Sequence, residues 1–197
     1  MPSYSRICAA LLALSVYRGP FAHGFDLYTD GYNADEIDLD IDGDYADAVI
    51  EQHNIHRTNH SALALEWDAT LAAIAQKHAM KCDFEHTADG EEGSQYGENL
   101  SYWASSGDIA RKENYAVRHA ITDGWYNKEE PFYTGYGYAV PPNYKTGFKK
   151  YGHFTQVVWK SSKRVGCGST LCAAGVLSRY PAWYTVCNYD PPGMHPV

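Results

Sequence analysis

The chain has 197 residues, of which 45% are hydrophobic, and this length is sufficient for one domain with a sizeable core. Its formal net charge is −8, and nine acidic residues crowd into residues 26–47 with no basic residue among them. Such a surface repels polyanions, so nucleic-acid binding is disfavoured.

The first 24 residues have the pattern of a secretory signal peptide. Arg6 provides a basic start, residues 7–17 form an apolar stretch, and Ala22 and Gly24 place small residues before a cleavage point at Phe25. The apolar stretch is too short to span a bilayer, and the alternative is an anchored or buried helix. We therefore predict a secreted, extracellular protein that does not span the membrane.

Residues 25–43 are predicted to form an irregular acidic arm, followed by a single domain over residues 44–197. The spacing of Asp38, Asp40 and Asp42 superficially resembles the start of a calcium-binding loop. However, Val49 stands where the twelfth-position glutamate of such a loop is required. A solvated acidic segment is the better interpretation.

Hydrophobic periodicity places three helices early in the domain. Apolar spacing predicts a first helix over 44–59 and a third over 108–126. Between them, Asp68 or Thr70 is a candidate cap for a second helix, whose apolar stripe runs from Leu71 to Cys82.

Loops and strands fill the second half of the domain. A polar loop over 83–97 precedes the third helix, and a tyrosine-rich loop over 130–151 follows it. In residues 152–159 large side chains alternate between two faces, which predicts a strand that is buried on both. Helices followed by strand pairs indicate a layered α+β fold with an antiparallel sheet.

Four cysteines are expected in the exported chain, because Cys8 leaves with the signal peptide. An even number in an oxidising compartment favours disulfides, and four cysteines allow three pairings. A zinc site is the alternative, but one close pair with two distant partners is poor zinc spacing. The four are Cys82, Cys167, Cys172 and Cys187.

Four short motifs occur in a fixed order along the chain. They are His53-Asn54-Ile55-His56-Arg57, Gly97-Glu98-Asn99-Leu100, Gly152-His153-Phe154-Thr155-Gln156-Val157-Val158-Trp159 with Val165-Gly166-Cys167-Gly168, and Cys187-Asn188-Tyr189-Asp190-Pro191-Pro192-Gly193. Together they resemble the CAP superfamily of cysteine-rich secretory proteins, antigen 5 and plant pathogenesis-related protein 1. The resemblance spans residues from about 45 to 193. It implies a three-layer α-β-α sandwich and the disulfides Cys82–Cys172 and Cys167–Cys187.

The resemblance also implies a cleft in which two histidines and two glutamates can hold a divalent metal ion. The matching positions here are His86, Glu98 and His153. Two imidazoles and a carboxylate form a plausible ligand set for zinc. His53, Asn54 and Arg57 are expected to tie the first helix to the sheet through hydrogen bonds.

The second carboxylate of this set is displaced in the sequence. Lys128 stands at the expected position, and Glu129 is one residue further, about 100° around an α-helix, unless a one-residue insertion resets the register. A lysine ammonium in the cleft would oppose metal binding and pair with Glu98. We expect zinc or magnesium binding at His86, Glu98, Glu129 and His153 to be lost or weakened, and no cofactor to be required.

Some relatives in this family bind lipids, so we predict a non-enzymatic carrier of a fatty acid or a sterol. The favoured fatty-acid site is a groove between the first and third helices, although such residues commonly fill a core. Its candidate residues are Val49, Ile50, Ala116, Val117, Ala120 and Ile121. The second site is an aromatic loop with Tyr133, Tyr136 and Tyr138, in the region of a sterol-binding motif of relatives.

Two other functions are weighed against the lipid carrier. A monomeric recognition module would use its surface loops to bind an extracellular protein or cell-wall partner. A metal-dependent hydrolase would use His86, Glu98 and His153, but the chain has no Gly-x-Ser-x-Gly or His-Glu-x-x-His motif. Asn59 in Asn59-His60-Ser61 is the better of two glycosylation sequons, the other beginning at Asn99.

Overall fold

The structure is a computed structural model and describes residues 45–138, 141–142 and 144–193. The expected signal peptide and the acidic arm over 25–43 lie outside these residues. In the described part of the chain, no helix is both long enough and apolar enough to cross a bilayer.

Helices precede and interrupt a small sheet. The helices are α1 (Tyr45–Asn59), α2 (Ala69–Ala79), α3 (Glu113–His119), α4 (Tyr144–Gly147) and α5 (Gly152–Val157). A π-helical segment, Ala120–Asn127, continues α3, and 3₁₀ turns occupy Glu130–Phe132 and Phe148–Lys150. The strands are β1 (Glu66–Trp67), β2 (Gly97–Ala104), β3 (Arg164–Cys172) and β4 (Ala182–Asp190).

The sheet has the strand order β1-β3-β4-β2. Strand β4 pairs antiparallel with both β3 and β2, whereas the short β1 pairs parallel with β3, so the sheet is mixed. The three long strands form the antiparallel sheet that was predicted, and the two-residue β1 adds a parallel pairing at one edge. Strand β1 leads directly into α2, which packs on β3.

Helix α2 covers one face of the sheet, while α1 and α3 cover the other, which gives the three-layer sandwich. Asp68 caps α2 by accepting hydrogen bonds from the backbone of Thr70 and Leu71. Two glycines of β3 let α2 approach closely: a Cβ on Gly166 would lie 2.5 Å from the Asp68 carbonyl oxygen. A Cβ on Gly168 would likewise meet the α2 backbone.

Two disulfides tie the layers together. Cys82 is bonded to Cys172, with a Cα–Cα distance of 5.8 Å, and joins the end of α2 to β3. Cys167 is bonded to Cys187 across β3 and β4. These are the pairs that the family resemblance implies.

Buried polar groups fasten α1 to the rest of the domain. The His53 Nδ1–H donates to the Val49 carbonyl, and its Nε2 is 2.8 Å from the Tyr189 hydroxyl of β4. Arg57 is fully buried and donates to backbone carbonyls on both sides of residue 160, including those of Val157 and Ser162. The family motif on α1 therefore serves the structure, as predicted.

Residues 152–159 are not a strand. Gly152–Val157 form α5, and Phe154 through Val157 are all buried. An alternating run of eight residues cannot by itself distinguish a strand from a buried helix, and here tertiary contacts decide. The third helix also differs from expectation, because α3 begins at Glu113 and its second half is π-helical.

Candidate functional site

One side of the central cleft is organised around Glu98 of β2. Its carboxylate accepts hydrogen bonds of 2.8 Å from both the His78 and His86 rings. Thr87 donates its backbone N–H at 3.0 Å and its hydroxyl at 2.7 Å. Burial alone would raise the pKa of the Glu98 carboxyl, but these hydrogen bonds outweigh it and hold that pKa well below its usual range. Glu98 is therefore a fixed anion at neutral pH.

The opposite side of the cleft is organised around Glu129. One carboxylate oxygen lies 2.6 Å from His153 Nδ1, and the other accepts the Phe154 backbone N–H at 3.0 Å. This N–H belongs to the first turn of α5, where helical amides lack partners within the helix. Glu129 therefore both orients the His153 ring and anchors the start of α5.

The π-helical segment explains why Glu129 reaches this position. Hydrogen bonds from i to i+5 take one more residue into each closed ring than those of an α-helix, so residues 120–127 change the direction in which the residues after them point. Lys128 is exposed, and Glu129 is 8% exposed. The expectation that Lys128 occupies the cleft and pairs with Glu98 is wrong, because the register is shifted by one residue.

The cleft between these two groups has a volume of about 500 Å³ and is lined by His86, Glu98, His153 and Gln156 among others. His86, Glu98 and His153 line this space, whereas Glu129 contacts His153 but is not one of the lining residues. These four side chains are the predicted metal ligands. They form two separate pairs, and the described residues contain no group of three or more histidine, cysteine, aspartate or glutamate side chains placed to share a metal ion.

A second cavity, of about 600 Å³, lies under the tyrosine loop. Its walls include all three tyrosines predicted for the sterol loop, Tyr133, Tyr136 and Tyr138, together with Phe154 and Trp159. We call it the aromatic cavity. Polar residues at its edge include Asn59, Ser61 and Lys160.

Tyr136, one of the three tyrosines of the aromatic cavity, is held in place by contacts of its hydroxyl and its ring. The Tyr136 hydroxyl donates to Glu130 at 2.9 Å, and its ring lies parallel to that of His60, with centroids 6.1 Å apart. Burial and the Glu130 carboxylate raise the pKa of Tyr136, which keeps the hydroxyl protonated. His60 is itself fixed by the Tyr126 hydroxyl, 2.8 Å from its Nε2.

The predicted groove between α1 and α3 is filled by its own side chains. All of its candidate residues except Ile50 are at most 3% exposed. Neither cavity described above is lined by any of them. The buried candidate residues are Val49, Ala116, Val117, Ala120 and Ile121. All of these except Ala116 belong to one core cluster with Trp125, Val165 and Tyr189. Ala116 packs instead with Ile109 and Trp183.

Sequence reasoning missed two hydrogen-bond partners of Glu98. His78 was assigned to the apolar stripe of α2, and the structure turns it toward Glu98, at 6% exposure. Thr87 adds two of the four hydrogen bonds to the same carboxylate. A histidine within an apolar stripe is a signal that could have identified His78, because a buried imidazole needs a polar partner.

The model of the cysteine-rich secretory protein family, CAP, matches residues 50–189 of this chain. The chain therefore belongs to the CAP family. This identification agrees with the three-layer fold, the two disulfides and the cleft of paired histidines and glutamates.

Similar curated proteins are mainly longer than the matched region. A probable pathogenesis-related protein of Arthroderma benhamiae is 38% identical over 76% of this chain and 45% of its own length. Fruiting body protein SC7 of Schizophyllum commune is 36% identical, over 75% and 64%. Secreted protein RBT4 of Candida albicans is 34% identical, over 77% and 36%. The chain thus spans less than two thirds of each of these relatives.

Among solved structures, the crystal structure of Na-ASP-1 aligns with a TM-score of 0.63 at 21% identity. The alignment covers 77% of this chain and 39% of that chain. At this identity the comparison establishes the shared fold.

Proposed function

We propose that this protein is a secreted, non-enzymatic lipid-binding protein that holds a sterol in the aromatic cavity. The observation that carries the proposal is a cavity of about 600 Å³ walled by the three loop tyrosines, Phe154 and Trp159. This volume lies within the range of small-molecule sites, which are typically apolar with a few polar groups that orient the ligand.

The geometry suits a rigid, flat ligand. Tyr136 and Tyr138 are 53% and 63% exposed, so each can offer a ring face to a bound molecule. Tyrosine combines such an apolar face with a hydroxyl at the rim. Lys160, Asn59 and Ser61 stand where they can hydrogen-bond the single polar group of a sterol.

A fatty acid in the groove between α1 and α3 is the less favoured site. Its candidate residues are packed in the core, and an acyl chain would have to displace those contacts. Each buried aliphatic side chain contributes roughly 1.5–3 kcal/mol when it is removed from water, so opening the groove would be costly.

Metal is not required for this proposed function. The two histidines and two glutamates of the cleft are suitable donors in kind, but each glutamate is already hydrogen-bonded to its own histidine. In the part of the chain described here they do not form a common coordination set. The residues as arranged therefore do not fit a preformed metal centre, and no step of ligand binding depends on one.

Catalysis is the weaker alternative for the cleft. His86 and His153 each use Nδ1 to bond a glutamate, which resembles a base with its orienting carboxylate. The Ser94 hydroxyl of the cleft instead accepts the Gly90 backbone N–H at 3.3 Å. Within the described residues, no hydroxyl or thiol is hydrogen-bonded to either imidazole as a nucleophile would be. Recognition of an extracellular partner through the surface loops is the other alternative.

Secretion is part of the proposal and rests on the signal-like first 24 residues and on a relative that is named as a secreted protein. The two disulfides also suit an oxidising compartment.

Equilibrium binding of a fluorescent sterol and of palmitate to the purified protein tests the function. We expect saturable sterol binding that survives a chelator and falls at least tenfold in Tyr136→Ala. The matched control is Tyr102→Ala, which removes a tyrosine that is 44% exposed and does not line the cavity. Absence of sterol binding would contradict the proposal. Palmitate binding that is unaffected by Tyr136→Ala would instead favour the groove between α1 and α3.

A further inference from the structure

The chain contains two glycosylation sequons, and the structure shows that one is exposed to solvent and the other is buried. Asn59 is the last residue of α1 and is exposed, as is Ser61 two residues later. Ser61 has a φ of 51°, so the chain turns away from the helix at this point. An asparagine at an exposed turn is accessible to a bulky modification.

The second sequon, Asn99-Leu100-Ser101, lies inside β2. Asn99 is 2% exposed, and its amide donates to the His153 carbonyl at 3.2 Å and to the Tyr189 hydroxyl at 3.3 Å. A glycan on this amide is incompatible with the fold, because it would replace both hydrogen bonds and require space in the sheet.

The accessible sequon is built into the rim of the aromatic cavity. Asn59 and Ser61 line its edge, and His60 between them forms part of the wall, with its ring parallel to Tyr136 and edge-on to Phe154. A sugar chain attached to Asn59 therefore begins at the opening of the cavity.

We propose that Asn59 carries an N-linked glycan in the exported protein and that this glycan screens the mouth of the aromatic cavity. The first half of the proposal rests on the sequon, its exposure and export of the chain. The consequence for ligand entry rests in addition on the proposed function. A hydrophilic glycan at the rim slows exchange of an apolar ligand without removing any contact inside the cavity.

The modification is tested by intact mass of the full chain expressed in a eukaryotic secretory host. Asn59→Gln and Ser101→Ala remove one sequon each, and the latter leaves the Asn99 hydrogen bonds in place. We expect a single glycan on the wild type and on Ser101→Ala, and none on Asn59→Gln. An unmodified secreted wild type, or a glycan that persists in Asn59→Gln, would overturn the assignment.

The position of the glycan is tested by hydroxyl-radical footprinting, which needs no ligand. Tyr136 and Tyr138 should be labelled several-fold faster in Asn59→Gln than in the glycosylated protein, while Tyr102 reacts equally in both. Equal labelling of the loop tyrosines would refute screening.

Stopped-flow association of the fluorescent sterol then tests the consequence, and we expect faster association with Asn59→Gln at an unchanged maximal signal. Equal association rates would overturn the effect on ligand entry. If neither form binds sterol, the proposed function and the effect on ligand entry both fail, whereas the mass and footprinting results still decide the glycan site and its position.

Discussion

Replacing Glu129 by alanine tests the register that the π-helical segment imposes. The change removes the acceptor of the Phe154 N–H, which is buried, and of His153 Nδ1. A buried donor left without a partner costs about 1–3 kcal/mol. The His153 side chain is 32% exposed and can turn to water, so breaking its hydrogen bond to Glu129 costs a free energy at the lower end of that range. We therefore expect a loss of roughly 2–4 kcal/mol in the free energy of unfolding.

The measurement is chemical and thermal unfolding of the Glu129→Ala protein beside Lys128→Ala. For a chain of this length the expected loss corresponds to a fall in melting temperature of roughly 4–16 °C. Lys128 is exposed, so its truncation should change stability by no more than about 0.5 kcal/mol. If Lys128→Ala were as destabilising as Glu129→Ala, lysine and not glutamate would face the cleft, and the register argument would fail.

Two further predictions concern the core and the sheet. Burial lowers the pKa of His53 to about 4, from an ordinary value of 6.5, so the unfolded chain takes up the proton first and stability is lost as the pH falls from about 6.5 to 4. Urea unfolding should show a loss of about 3 kcal/mol from this group by pH 4, and an unchanged pH slope in His53→Gln would contradict it. Gly166→Ala should cost about 3 kcal/mol or more, because its Cβ would meet the α2 backbone. Gly107→Ala, whose Cβ would be 3.6 Å from the Ser105 side chain, is the control and should stay within about 0.5 kcal/mol; similar losses in both would refute this reasoning.

Much of the fold was accessible from sequence because it depends on local patterns. The apolar spacing of residues 44–59 and the cap at Asp68 are properties of short segments, and the structure confirms both helices. The parallel pairing of β1 was not accessible, because two residues carry too little pattern to indicate direction. Residues 152–157 were assigned to the wrong class for a related reason: their helix depends on an anchor, Glu129, that is distant in sequence.

The candidate site likewise includes some residues that the sequence identified and others that it did not. Glu98 and His153 were found through family motifs, whereas His78 was hidden within an apolar stripe. The position of Glu129 required knowledge of the backbone, since only a π-helical segment distinguishes an inward glutamate from an inward lysine one residue earlier. The loop tyrosines were predicted as a set, and their common cavity emerges from the packing of a long loop against α5.

Helix α5 contributes residues to the walls of both cavities, and two consecutive glutamates stabilise the structure around them. On α5, His153 and Gln156 face the cleft, while Phe154 and Thr155 face the aromatic cavity. Glu129 anchors the start of that helix, and Glu130, the next residue, accepts a hydrogen bond from the hydroxyl of Tyr136, which lines the aromatic cavity. A change of one residue in the register of the π-helical segment would therefore displace both carboxylates together. This gives a physical reason for the segment to keep an irregular hydrogen-bond pattern that a regular α-helix would avoid.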